Sequence, residues 1–481
     1  MGGRMARAAL RAMHMPLRTC SPPTIRMTAS CEHLMSESIE TPYPRAAYSW
    51  FVLGVLVVAS LVSFIDRQVV AIVVEPMKAD LGASDAEIGW LYGIFAVFYA
   101  VAGLPIAYLA DRMSRKHLIA AGIFFWSIMT MLCGLSRSFW QVLFARIGVG
   151  IGEATLTPST ISLVGDYFPR SSIPLAMSVY QTGAIMGSGL AFIIGGVVLG
   201  LVEGAEPLVL PGVGVLSAWQ QTFLYVGAPG LLLAVLLLGI REPVRRSPIT
   251  QKASANDVAR SFAEVFAHYK RHRWTMFFHH LGFLAFGLLG YAFVFWTVSY
   301  FSRVHEVAPA SASQIFGWIF LVVGPLGSVW AGFQARWFNQ RGRADGNVLV
   351  GMIGGCLAVV AILLIQAAPT ATIAFALYVP ALFFVNSPFG IALGALSVIT
   401  PPAIRAQVGA VYMFVSAMGM LLGPPIAGAV SEHLFPGAEG VRYSVATVTL
   451  VFGSVGAVLL WFGRAHYARS LTEVEASGAH A

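Results

Sequence analysis

Long apolar stretches alternate with short polar ones along almost the whole chain. Runs of about 20 apolar residues, the length that an α-helix needs to cross ~30 Å of hydrocarbon, recur through the sequence. Their approximate bounds are 49–76, 87–110, 116–136, 140–168, 174–201, 217–240, 274–302, 313–335, 347–368, 371–397, 407–430 and 441–464. The pattern predicts an all-α membrane protein with twelve transmembrane helices.

Composition and charge agree with this prediction. Of the 481 residues, 57% are hydrophobic and only 11% are charged, whereas soluble domains are about one quarter charged. If the N-terminus is cytoplasmic, most loop Lys and Arg residues fall in cytoplasmic loops, and only Lys78, Arg137, Arg303 and Arg442 fall outside. This asymmetry predicts a multi-pass membrane protein whose two termini are both cytoplasmic. The basic residues form no compact domain that would bind nucleic acid.

The polar segment 242–273 divides the apolar stretches into six and six. We expect a cytoplasmic tail at 1–48, six-helix bundles at 49–241 and 274–465, and a second cytoplasmic tail at 466–481. Within the polar segment, one face of an amphipathic helix on the membrane surface is formed by Val258, Phe262, Val265 and Phe266. A linker role is favoured for this segment over a regulatory one.

The two halves resemble each other, which is typical of secondary transporters that bind cargo near mid-membrane. The run at 103–116 aligns with 327–340, and 174–189 aligns with 408–423. No nucleophile elbow, zinc motif or phosphate loop is present. The four cysteines have no metal-ligand spacing. We therefore expect no enzymatic activity, no cofactor and no metal.

Four charges interrupt the apolar stretches of the first half. A charge at the centre of a bilayer costs about 3 kcal/mol or more, so it needs compensation or a function. Asp66 and Arg67 lie in the first stretch, and Arg146 and Glu153 lie in the fourth, seven residues apart and thus on one helical face. We expect Asp66 and Glu153 to form a carboxylate pair near Arg146, with Arg67 adjacent. The alternative is a static salt-bridge cluster that joins the two helices.

A functional interpretation assigns proton coupling to Asp66 and Glu153. Proton uptake would free Arg67 or Arg146 to bind an anionic headgroup, because a guanidinium suits phosphate. The second half offers cavity-lining candidates, which are Tyr291, Trp296, Ser299 and Asn386. The adjacent His279 and His280 are interpreted as an interfacial pair in preference to a proton relay.

The run "AYLADRMSRK" (107–116) resembles the loop 2–3 motif of the major facilitator superfamily, with Ala107 and Ser114 in place of two glycines. The resemblance implies the major facilitator fold and a cytoplasmic gate. The implied gate residues are Asp111, Arg112 and Arg115. In the family, the Asp at the position of Asp111 pairs across the gate in the outward-facing state.

The run "FIDRQVVA" (64–71), together with Arg146, Gly150, Gly152, Glu153 and Ala154, is similar to the Spinster family. This similarity implies a bacterial member of the family, located in the inner membrane, that transports a sphingolipid or lysophospholipid and is driven or modulated by protons. We expect a monomer that moves a lipid-like amphipathic anion by alternating access. The alternatives are a multidrug/proton antiporter of the same superfamily, a non-transporting receptor and an intramembrane lipid hydrolase.

Overall fold

The computed structural model describes residues 43–245 and 255–476, and almost all of them are helical. The predicted tail before residue 43 lies outside this range. In chain order the elements are α1 (Ala46–Ile72), α2 (Val74–Leu81), α3 (Asp85–Ala110), α4 (Arg115–Leu135), α5 (Phe139–Glu153), α6 (Leu156–Tyr167), α7 (Ile173–Glu203), a short hairpin of β1 (Val209–Leu210) and β2 (Gly214–Val215), α8 (Ala218–Leu238), α9 (Ala255–Arg271), α10 (Arg273–His305), α11 (Pro309–Gln340), α12 (Gly346–Gln366), α13 (Ala371–Val398), α14 (Arg405–His433) and α15 (Gly440–Ala476).

Among the described residues, 11 helices are long and apolar enough to cross a membrane. The predicted fourth crossing is the exception, because it consists of α5 and α6 in succession. Pro158 lies in the first turn of α6 and has no N–H to donate to the carbonyl of Ala154, which is where the helix breaks. The 11 long helices together with the α5–α6 pair account for the twelve predicted crossings.

The first crossing is interrupted in the same way. Pro76 lacks an N–H for the carbonyl of Ile72, and α1 ends there. The short helix α2 continues the crossing after Val73. It is tied to α8 because Trp219 Nε1 donates to Asp80 Oδ2 at 2.8 Å.

Helices α1–α8 pack mainly on one another, and helices α10–α15 do the same. We call these groups the N-half and the C-half. Two extensive contacts join them, between α3 and α14 and between α7 and α11. We call the end of the molecule where α1 begins the proximal end and the end where α1 finishes the distal end.

The halves approach most closely near the distal end, where glycines allow backbone to meet backbone. A Cβ placed on Gly89 or Gly93 of α3 would lie 2.5 Å from Pro425 Cα or 2.3 Å from Leu421 O, both in α14. Towards the proximal end, a Cβ on Gly103 of α3 or on Gly332 of α11 would meet nothing within 4 Å. The halves are therefore closed distally and separated proximally.

Helix α9 docks on the proximal end of the C-half. Tyr269 Oη lies 3.0 Å from His280 Nε2 of α10, and His272 Nδ1 lies 2.9 Å from Ser470 Oγ of α15. Val265 of the predicted apolar face packs against the protein core. Phe262 and Phe266 of that face are exposed instead, because docking of α9 uses only part of the apolar stripe. The side chain of Val258 lies outside the described residues.

Helix α15 continues past the predicted end of the last bundle at 465. It remains helical to Ala476, since Ser470 and Val474 are buried where the helix passes α9. The first part of the predicted tail at 466–481 is thus folded against the protein.

Candidate functional site

A buried ion pair joins α1 to α5 in the N-half. Arg67 Nε donates to Glu153 Oε2 at 2.7 Å. Ser63, one helical turn before Arg67, donates to the same Glu153 oxygen at 2.5 Å and accepts from Arg67 Nη2 at 3.2 Å. The Glu153 side chain is fully buried, whereas that of Arg67 is 19% exposed. Part of the Arg67 side chain is therefore exposed, whereas the acid of the pair is enclosed.

Aromatic rings surround the Arg67 guanidinium. Its Cζ lies 5.0 Å from the ring centroid of Phe64, 4.9 Å from that of Phe95 and 4.8 Å from that of Tyr99. Such contacts contribute about 0.5–2 kcal/mol each when water is excluded. They help to fix the position of the cation, whose hydrogen bonds to Glu153 and Ser63 use Nε and Nη2.

Arg146 and Asp66 are buried close to this pair, since the Cζ atoms of Arg146 and Arg67 lie 5.3 Å and 4.9 Å from the centroid of the same Phe95 ring. Arg146 donates through Nη1 to the backbone oxygen of Asp66 at 2.8 Å and through Nε to the backbone oxygen of Leu91 at 3.4 Å. Neither carboxylate oxygen of Asp66 has a hydrogen-bond partner among the described residues, and nor does Arg146 Nη2. The predicted arrangement is thus modified, because the partner of Glu153 is Arg67, and Arg146 contacts the backbone of Asp66 and not its carboxylate.

The exposed part of Arg67 lines a cavity between the halves, with a volume of ≈ 200 Å³. The N-half contributes polar groups beside Arg67, and the C-half contributes mostly apolar and aromatic side chains. The residues that line the cavity are Phe64, Arg67, Gln68, Tyr92, Ser188, Gly290, Tyr291, Val294, Phe320, Val385, Asn386, Phe389 and Met420. Asp66, Arg146 and Glu153 are not among them.

Two of the four predicted cavity residues of the C-half line this cavity, namely Tyr291 and Asn386. Trp296 does not, because it is buried and its Nε1 donates to Pro424 O at 3.0 Å within the C-half. Ser299 is also fully buried and does not line the cavity. These two residues lie on other faces of α10, a helix surrounded by neighbours on most sides.

A family model described as the Major Facilitator Superfamily matches residues 56–399. The chain belongs to the Major Facilitator Superfamily. It is 27% identical over 457 residues to an MFS-type efflux pump of Mycolicibacterium smegmatis, and the match covers 89% of this chain and 95% of that protein. It is also 27% identical over 398 residues to a sphingosine-1-phosphate transporter of Mus musculus, with 79% and 69% of the two chains covered.

Among solved structures, the protein is similar to a bacterial homolog of the human lysosomal transporter Spinster in an inward-facing and unoccupied conformation. The TM-score is 0.77 at 28% sequence identity, and the match covers 89% of this chain and 99% of that one. The predicted family and fold are confirmed. The protein is a multi-pass membrane transporter of the Spinster type and not an enzyme.

The superfamily's loop motif lies at the proximal end, between α3 and α4. Asp111 and Arg112 are exposed there, and the Arg112 guanidinium lies 3.4 Å from the ring centroid of Tyr108. The backbone oxygen of Asp111 accepts from Arg245, which follows α8 in the same half. In this proximally open state, Asp111 and Arg112 are thus accessible for contacts with the C-half.

Arg115, the third predicted gate residue, is fully buried inside the N-half. It pairs with Asp166 of α6 and, through Nε at 2.9 Å, with Glu242 after α8. Burial raises the pKa of Glu242, but hydrogen bonds from the backbone N–H of Lys116 and from Arg115 outweigh it and hold that pKa below its ordinary value. Arg115 therefore holds α4, α6 and the end of α8 together in this state.

His279 and His280 are both buried, and both pack edge-on against Tyr412 of α14. His279 Nε2 lies 3.0 Å from Ala392 O, and His280 Nε2 contacts Tyr269 of α9. Their place is thus at the junction of the C-half with α9.

Sequence reasoning missed the polar neighbours of Arg67 in the cavity. Tyr92 Oη donates to Gln68 Oε1 at 3.4 Å, and both side chains line the cavity. Gln68 directly follows Asp66 and Arg67, so its polar side chain in an apolar span could have indicated a place in the site. Tyr92 carries no such signal, because one tyrosine on a membrane helix resembles any other.

Proposed function

We propose that this protein is a proton-coupled secondary transporter of a lipid-like amphipathic anion with one acyl or alkyl tail, such as a lysophospholipid or a sphingolipid phosphate. The observation that carries the proposal is the asymmetric pair of Arg67 and Glu153. Its cation reaches the cavity and its acid does not. An anionic headgroup can therefore meet a fixed guanidinium donor without first contacting a carboxylate.

The cavity suits the two ends of such a cargo differently. Near Arg67, the side chains of Gln68 and Tyr92 supply neutral hydrogen-bonding groups for a headgroup. On the opposite side, Phe320, Phe389 and neighbouring aliphatic residues offer apolar surface. A volume of ≈ 200 Å³ fits a headgroup and the beginning of a tail, so the rest of the tail would extend between the separated proximal parts of the halves.

Protonation of Glu153 would couple the proton to the cargo. While Glu153 is charged, it neutralises Arg67 through a direct hydrogen bond. A proton on Glu153 removes that countercharge, and Arg67 then gains by binding an anion in its place. Asp66 is the second candidate for a proton, since a buried carboxyl without donors is more stable uncharged. Arg146 would position α1 through the Asp66 carbonyl, with Arg67 alone contacting the headgroup.

We further place the proximal end on the cytoplasmic side of the bacterial inner membrane. Basic residues concentrate in the loops at that end, as the positive-inside rule requires. The separated proximal halves then correspond to an inward-facing state. In the outward-facing state, Asp111 and Arg112 would contact the C-half and close the proximal gate.

A multidrug/proton antiporter is the second candidate, and the similarity to the mycobacterial efflux pump favours it. In that case Glu153 would bind a cationic cargo after Arg67 moves aside. The two candidates differ in the sign of charge that the site selects.

Transport into liposomes can separate these candidates with three probes that share one tail length. The probes are lysophosphatidylglycerol, the neutral monoacylglycerol and an alkyl trimethylammonium. We expect proton-dependent uptake of the anion, and we expect its loss in Arg67→Gln. Uptake of the cation alone would support the antiporter, and uptake of none of them would contradict both transport proposals.

A further inference from the structure

Arg303, near the distal end of α10, holds two carboxylates of the opposite half. Its Nη1 and Nη2 each donate to one oxygen of Asp85 at 2.8 Å, and its Nε donates to Glu75 Oε1 at 2.8 Å. Asp85 is the first residue of α3, and Glu75 lies in α2. All three nitrogens of the Arg303 guanidinium thus donate hydrogen bonds across the boundary between the halves.

These pairs are largely shielded from solvent. The side chains of Arg303 and Asp85 are 10% and 5% exposed, and that of Glu75 is 27% exposed. A bidentate guanidinium–carboxylate pair is geometrically specific. Separating such partners leaves desolvated charges unpaired unless water enters. The distal end therefore opens only when these contacts are exchanged for water.

Backbone packing beside the ion pairs requires the same closed geometry. A Cβ on Gly428 of α14 would lie 2.3 Å from the backbone oxygen of Asp85. Asp85, which accepts from Arg303, is thus also one of the residues at which the backbones of α3 and α14 meet. When α14 moves away from α3, the support behind Asp85 is lost together with the ion pair.

We propose that Arg303, Asp85 and Glu75 form a distal gate whose ion pairs hold the transporter closed on that side. This gate is distinct from the superfamily motif at the proximal end and from the Arg67–Glu153 site. It requires only that the protein alternates between states, so it holds for any cargo and for any coupling ion.

Lys78 provides a matched control within the same cluster. Its Nζ donates to Asp85 Oδ1 at 2.6 Å, but Lys78 and Asp85 belong to the same half. Lys78→Gln removes an ion pair of Asp85 without removing a contact between the halves. Arg303→Gln removes the contacts that cross between them.

The test measures distal opening directly. Trp140 and Leu434 are exposed residues near the distal end of the N-half and the C-half. Cysteines at these two positions, in a chain whose native cysteines are replaced by serine, carry spin labels for pulsed distance measurement in detergent and in nanodiscs. We expect Arg303→Gln to raise the ratio of long to short distances at least about tenfold, and Lys78→Gln to leave it near that of the parent.

Asp85→Asn is a milder variant that preserves the size of the side chain. It should shift the distances in the same direction, and combining it with Arg303→Gln should add little, because both remove the same interaction. An unchanged distance distribution in Arg303→Gln and Asp85→Asn overturns the proposal. An equal shift in Lys78→Gln also overturns it, since the cluster would then only stabilise the α2–α3 loop. Failure of cargo transport with intact gating would affect the proposed function alone.

Discussion

Replacing Glu153 with Gln tests the proposed coupling most directly. The change removes the charge that neutralises Arg67 and preserves the size of the side chain. A headgroup anion on Arg67 Nη1 would lie about 6 Å from Glu153, where two like charges at an effective dielectric constant of about 20 repel by about 3 kcal/mol. We therefore expect Glu153→Gln to bind the anion about 100-fold more tightly at neutral pH.

The same substitution should make the empty protein less stable. Glu153 accepts hydrogen bonds from Ser63 and Arg67, and each bond weakens by about 1 kcal/mol when its acceptor loses the negative charge. The expected loss is about 2 kcal/mol in the free energy of unfolding. Tighter cargo binding with lower intrinsic stability is the combined result that a countercharge role predicts.

The assay is binding of lysophosphatidylglycerol, whose phosphodiester stays singly charged from about pH 5 to about pH 9. Affinity of the parent protein should increase as the pH falls and Glu153 gains a proton, whereas Glu153→Gln should give a flat profile. Glu206→Gln serves as the control, because Glu206 is exposed in a loop at the distal end. Weaker binding by Glu153→Gln, or a pH profile like that of the parent, would refute the reasoning.

Three further predictions concern packing, an internal ion pair and pH. Gly428→Ala should favour distal opening in the spin-label assay because its Cβ would clash with α3, whereas Gly332→Ala, with nothing within 4 Å, should not. Arg115→Gln should lower the free energy of unfolding by about 3 kcal/mol, since it removes the ion pairs of Arg115 with Asp166 and Glu242 inside the N-half. An unchanged melting temperature would contradict this structural role. Burial, with nearby His272, lowers the pKa of His268 to about 4. The docking of α9 should therefore be fully stable above about pH 6.5 and should weaken as the pH falls towards 4. Hydrogen exchange of α9 that does not change over this pH range would contradict the prediction.

The amino-acid sequence was sufficient to locate the crossing helices and to indicate a charged site. Whether a segment can cross a membrane depends on its length and its apolar content, and both are local properties. The penalty for charge in hydrocarbon is also local, so Asp66, Arg67, Arg146 and Glu153 were identified from their surroundings in the chain.

Which of these charges contact one another depends on how the helices pack. Helical spacing correctly puts Arg146 and Glu153 on one face of α5, but it cannot say how α1 is rotated against that face. In the observed rotation, Glu153 pairs with Arg67, and Arg146 donates to the backbone carbonyl of Asp66. The distal contact of Arg303 with Asp85 joins residues 218 positions apart. Periodicity describes a helix along its own axis, whereas the rotation and separation of neighbouring helices depend on the packing of many side chains at once.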